Sequence, residues 1–168
     1  MKGRILFEEI PCGTEYLQTI IEAMQKSKEL QVDYQPFYGH RETYNIQPYA
    51  MKVYHQRWYV VGHIKELGGI RNIALDRTLE MNISDTSFTL PLNFNAKKYY
   101  AHSVGIYVNE KLKPVKVKIR AYGVQIEYLR SLPLHSSQKE SASKYGEFCD
   151  FEYKLCLTPE LSTHILAM

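Results

Sequence analysis

Lys52, Arg57, Arg71 and Arg77, with His55 and His63, crowd the stretch from Pro48 to Thr78, interleaved with Tyr49, Tyr54, Tyr59 and the only tryptophan, Trp58. Ammonium and guanidinium groups hold phosphates while aromatic rings stack on bases, the combination by which single-stranded nucleic acids are bound. Lys52 shares a strand face with Ala50 and Tyr54, so a phosphate held by the lysine would lie beside a ring. The candidate ligand-binding set is therefore Lys52, Arg77, Tyr59, Tyr34, Tyr54, Arg71, His55 and Arg57. Plainer roles stand beside this one. Lys52 also fits a solvated strand position, and Arg77 fits a local ion pair with its neighbour Asp76, of a kind that contributes little when exposed. Trp58 suits the core, and the opposite parity of Tyr59 predicts that one of the two rings faces outward.

No catalytic constellation accompanies these residues. There is no G-x-S-x-G elbow, P-loop, Rossmann glycine pattern or H-E-x-x-H, so the chemistry points to binding and away from an enzyme. His55 and His63 have no carboxylate or cysteine partner at metal spacing, and neither a metal nor another cofactor is expected. Cys12, Cys149 and Cys156 are too few for a zinc site and odd in number for a disulfide framework, which leaves buried thiols. The segment His135-Ser136-Ser137-Gln138 is either a second contact loop or a polar turn.

The chain that must position these groups has 168 residues, 45% hydrophobic and 23% charged, enough for one ordinary domain or two small ones. No apolar run is long enough to span a bilayer, and the N-terminus meets Glu8 and Glu9 too soon for a secretory signal, so a cytoplasmic location without membrane contact is expected. A net charge of +3 does not by itself announce a nucleic-acid partner. Fourteen tyrosines suit a strand-rich fold.

Residues 1–13 are expected to be a connector ending in Pro11-Cys12-Gly13. Thr14 is the predicted N-cap of an amphipathic helix whose apolar positions Tyr16, Leu17, Ile20, Ile21 and Met24 recur at helical spacing. Period-2 alternation then predicts a strand over 30–36 and four more over about 45–55, 57–64, 70–76 and 79–83. Five short strands must hide their edges, which favours closure into a small SH3/Sm-like barrel over residues 14–84. A polar hinge is expected over 85–98. Beyond it, residues 99–168 predict an α+β unit with strands over 115–122 and 148–157, a short helix before Pro133, and a last helix capped by Thr158 with Pro159 in its first turn. Such an order ordinarily takes one further strand, so this unit is expected to be an incomplete, ferredoxin-like extension, truncated in this chain.

The run PYAMKVYHQRWYVVGH followed by IALDR resembles the WYL domain, whose Trp-Tyr-Leu triplet here is Trp58-Tyr59-Val60. VDYQPF at Val32–Phe37 resembles that family's first strand, and Pro48 and the Leu75-Asp76-Arg77 signature follow in order. GIYV, PLHSSQ and the strand from Phe148 resemble the C-terminal extension of bacterial WYL regulators. The resemblance implies an Sm-like barrel that senses a nucleotide or single-stranded nucleic acid on its cationic face, works as a homodimer, and regulates transcription through a helix-turn-helix. That helix-turn-helix has no counterpart in these residues, so DNA is expected to be reached only through a missing or partner helix-turn-helix. At two positions where the family often has arginine the chain has Tyr44 and Ala74, leaving fewer guanidinium groups for bidentate phosphate binding. The competing expectation is an interaction or scaffold module making only protein contacts, or a remnant of a longer regulator.

Overall fold

The computed structural model describes residues 13–142 and 146–167. The expected connector and Cys12 lie outside the described residues, save Gly13. The chain clusters into two units that meet at Ala96/Lys97, and together they form an α+β architecture with one five-stranded and one three-stranded antiparallel sheet.

In the first unit a single 3-10 turn, Thr14–Tyr16, leads into α1 (Leu17–Gln25). Gly13, not Thr14, occupies the N-cap position, at φ 114°, where its N–H donates to the Glu15 carboxylate at 2.9 Å. A side chain at Gly13 would meet the Leu75 backbone at 2.5 Å, so glycine is required both by conformation and by space. Ile20 and Ala23, fully buried, press α1 onto the sheet. Their spacing follows from the 3.6-residue period of the helix.

The sheet comprises β1 (Lys28–Tyr34), β2 (Glu42–Tyr54), β3 (Arg57–Ile64), β4 (Gly69–Ala74) and β5 (Thr78–Ser87) in the order β4-β3-β2-β1-β5. Leu30, Val32 and Tyr34 of β1, Ile46 of β2, Val60 and Ile64 of β3, and Met81 of β5 alternate inward to make one core. β5 runs on through Ser84–Ser87, where polar composition predicts the start of a hinge, because Lys28 pairs Ser87 and the Lys28 ammonium donates to the Asp85 carbonyl. In β2 the register slips between Pro48 and Ala50, a bulge that accommodates a proline with no N–H to offer the ladder. Gly62 sits opposite Pro48, and a Cβ there would fall 2.0 Å from the Gln47 carbonyl oxygen. The two-residue turn His55-Gln56 closes β2 onto β3 with both residues at positive φ, 46° and 60°.

β4 pairs only β3 and β5 only β1, so the sheet is open and the expected closed barrel is not found. It is nevertheless strongly curled. A flat sheet would hold its outer strands about 19 Å apart, yet the 3-10 turn Leu75–Arg77 joins the end of β4 to the start of β5 directly. Those few residues reach no more than about 14 Å even when extended.

The second unit holds α2 (Ala96–Tyr99) at its boundary, β6 (Val115–Tyr122), α3 (Val124–Ser131), β7 (Lys139–Ala142), β8 (Phe148–Leu155) and α4 (Pro159–Leu166). β8 lies between β6 and β7, antiparallel to both, which makes β6-α3-β7 a split βαβ unit. Cys149, Phe151, Tyr153 and Leu155 alternate inward from β8 against Ala121, Leu129 and Leu161. Cys149 and Cys156 are buried thiols, as expected. The Thr158 hydroxyl accepts from the Leu161 N–H at 3.3 Å with Pro159 in the first turn, the predicted cap. On the other sheet face, Arg120 grips Asp150 through two bonds of 2.8 and 3.0 Å, with Lys118 at 3.3 Å. These guanidinium bonds above all, with the Lys118 ammonium, hold the Asp150 carboxyl down at about 2.

Two outcomes follow from this packing. Gly62→Ala forces a methyl group into backbone and should cost about 1–3 kcal/mol, read as a lower midpoint in urea unfolding. Because the folded carboxyl of Asp150 titrates below its unfolded value of ~3.9, its contribution to stability is complete above that pH and fades as pH falls toward about 2. Acid unfolding of the Asp150→Asn variant should therefore show a shallower pH dependence in that window than the wild type.

Candidate phosphate-binding cluster at the closing turn

The curl brings three segments to one end of the first unit: the start of β3, the end of β1 with the loop after it, and the Leu75–Arg77 turn. Tyr59 lies opposite Ala74 in the β3–β4 register, which carries Arg57 past the end of β4 and alongside Asp76. The Arg77 carbonyl accepts from the Gln35 N–H at 3.1 Å, tying the turn to the end of β1. Tyr34, just before it, is buried, and burial pushes its hydroxyl above the ordinary tyrosine range.

Asp76 stands between two guanidinium groups. Arg57 Nε is 3.7 Å from Asp76 Oδ2, and Arg77 Nε is 3.8 Å from Asp76 Oδ1. Both distances exceed the 2.7–3.2 Å typical of N–H···O hydrogen bonds. Asp76 Oδ1 and Arg77 Nε are buried and make no hydrogen bond among the described residues. Buried polar atoms are seldom left so, because the lost hydrogen bond is not replaced by water. The Arg77 guanidinium lies 4.3 Å from the centroid of the Phe37 ring and 5.6 Å from that of Tyr34, cation–π distances. Two arginines against one carboxylate leave the cluster with one excess positive charge.

The predicted ligand set divides on this geometry. Arg57, Arg77 and Tyr34 converge at the cluster. Lys52 lies opposite Tyr59 and Tyr54 opposite Arg57, so all four share one face of the β2–β3 hairpin. Tyr59 is on the face opposite Trp58, as parity requires, but only 5% exposed; Trp58 packs against the core, so neither ring is fully outward. His55 is at the exposed tip of the hairpin with its ring edge-on to Tyr54 at 4.2 Å. Arg71 is elsewhere: its guanidinium donates to the Ile70 and Leu67 carbonyls at 2.9 and 2.5 Å and fastens its own turn. Phe37 joins the cluster from a polar loop, where no periodicity marks it, and is 65% exposed despite its contact with Arg77. Asp76 enters as the carboxylate between both arginines, a role that adjacency to Arg77 alone only half predicts. Tyr44, where the family often has arginine, donates to Glu42 at 2.5 Å, and that bond raises its hydroxyl to about 12.

No curated protein matches the chain. Among solved structures, proteasome accessory factor B/C (PafBC) of Arthrobacter aurescens is similar over 87% of this chain with a TM-score of 0.51 and 19% identity. This chain spans 22% of that one, and the likeness is one of fold. No helix among the described residues is long and apolar enough to cross a membrane. The model of the WYL domain matches residues 15–83, from the 3-10 turn before α1 into β5, and so includes Arg57, Asp76, Arg77 and the rings of Tyr34 and Phe37. Residues 15–83 are thus similar to the WYL domain, and the charged cluster lies inside that stretch.

Proposed function

We propose that the first unit is the ligand-sensing part of a WYL-type transcriptional regulator, and that it binds a phosphate of a nucleotide or single-stranded nucleic acid at Arg57 and Arg77. The observation that supports this most is the two buried atoms Asp76 Oδ1 and Arg77 Nε, which make no hydrogen bond among the described residues and lie beside a second arginine. A phosphate oxygen offers these guanidinium groups the short, charge-assisted bonds that Asp76 does not. Phe37, exposed over Arg77, and Tyr54, on the Lys52 face, supply ring surfaces on which a base stacks. Lys52 adds a further charge along that face, while Tyr34 and Tyr59 act from below as the floor.

In this mechanism the anion competes with Asp76 for two guanidinium groups. Arg77 belongs to the turn that joins β4 to β5, so drawing it toward a ligand alters the curl of an open, Sm-like sheet. That change is the signal. It reaches DNA through a helix-turn-helix on a partner or on a further domain, with a homodimer as the unit of regulation.

Competition fixes the sign of two substitutions. In fluorescence anisotropy with short single-stranded DNA and RNA across a salt series, Arg77→Ala should weaken binding about tenfold or more and flatten the salt dependence. Asp76→Asn, which removes the competing charge, should tighten binding. Lys52→Ala should weaken it less than Arg77→Ala. Binding independent of salt, or weakened by Asp76→Asn in a protein that remains folded, contradicts the proposal.

A further inference from the structure

The second unit carries a concavity of about 500 Å³ at one end of the open sheet face, lined by residues of all three strands and of the His135–Gln138 turn. Sites for small molecules have volumes of roughly this order. Lys116 of β6, Lys139 of β7 and Lys154 of β8 line it together with one carboxylate, Glu152. The charge within the cavity is therefore +2.

The strand register makes this arrangement costly. Lys116 lies directly across from Lys154, and like charges at opposed positions of an antiparallel pair are destabilising. Lys139 faces Glu152 across the β7–β8 pair, yet Glu152 turns to Lys116 at 2.8 Å. Lys139 and Lys154 make no ion pair among the described residues, and both are exposed. The lysines of a surface-only sheet face would be better alternated with acids, as Asp150 alternates with Arg120 and Lys118 farther along the same strands.

The wall beside them is built rigidly. Ser137 Oγ accepts from the Lys154 N–H at 3.1 Å and lies 2.9 Å from His135 Nδ1, which itself accepts from the Ser137 N–H at 3.1 Å. Gln138 donates to the Leu129 carbonyl at 2.7 Å and accepts from the Tyr153 hydroxyl at 2.9 Å. A turn fastened this way holds its shape without a ligand, so little ordering entropy is lost on binding.

We propose that this cavity binds a small phosphorylated ligand, with its dianionic phosphate held by Lys116, Lys139 and Lys154. Ammonium groups suit phosphate as point charges, and a dianion matches the +2 of the cavity. Glu152 orients Lys116 and sets the charge, which excludes a second anion. Free phosphate and a phosphate monoester share this chemistry. The site is independent of the cluster in the first unit.

Isothermal titration calorimetry of the full chain tests this with AMP, inorganic phosphate and, as the uncharged control, adenosine. AMP should bind saturably and more weakly as salt rises, and adenosine should not bind. Phosphate binding as tightly as AMP identifies the free anion as sufficient; weaker binding shows that the ester group contributes. In the Arg57→Ala/Arg77→Ala background, where the cluster of the first unit cannot hold the phosphate, AMP should still bind saturably; adding Lys139→Ala/Lys154→Ala should lower that affinity by about tenfold or more, and adding Glu152→Gln should not lower it. Lys154→Gln alone repeats the test if the double variant loses its cooperative thermal transition. Absence of saturable binding by both AMP and phosphate, affinity unmoved by the lysine variants, or loss of all saturable AMP binding in the Arg57→Ala/Arg77→Ala background overturns the proposal.

Discussion

The constraint on which the first unit depends is the reach of three residues. Leu75–Arg77 must connect strands that a flat sheet would hold at opposite edges, so the sheet curls and its core closes around Leu30, Ile46, Val60 and Ile64. The same turn carries Asp76 and Arg77, and its tie to Gln35 sets them beside Tyr34 and Phe37. Scaffold and site are thus one element. Whatever moves Arg77 pulls on the link that bends the sheet, and under the proposed function this is the route from a bound anion to the shape of the unit. Leu75 itself is buried against Gly13, so the turn is anchored on its apolar side while its charged side faces the cluster.

Much of this was legible in the residues because it is local. The period of α1, the alternation in β1 to β4, the Thr158 cap and the span of β6 all follow from patterns within one element. The WYL likeness was legible too, since Trp58-Tyr59 and Leu75-Asp76-Arg77 stand in order along the chain. What was hidden is tertiary. β7, Lys139–Ala142, has no apolar alternation and is a strand because β8 offers it an edge. Tyr59 has the parity of an outward residue, yet it is buried in the folded unit. Hinge-like composition at Ser84–Ser87 gives way to pairing with β1.

Pairing across strands governs the charged sites most of all. Phe37 gains its place from contact with a residue forty positions later, and Arg71, equally cationic in sequence, spends its donors on its own turn. In the second unit, the opposition of Lys116 and Lys154 is a matter of register alone. At one end of that sheet Asp150 holds Arg120 through two short bonds with Lys118 at 3.3 Å, whereas two of the three lysines at the other end make no ion pair among the described residues. One end is arranged for stability, and the other keeps its charge.

Under the proposed function an anion takes the guanidinium groups of Arg57 and Arg77 from Asp76. Nitrogen-15 NMR of the arginine Nε–H groups, followed as a short single-stranded oligonucleotide is added, observes that exchange at the atoms concerned. The Arg77 and Arg57 signals should shift together and saturate, and Asp76→Asn should move both before any ligand is present. Saturable binding that leaves the Arg77 and Arg57 Nε–H signals where they began would contradict it.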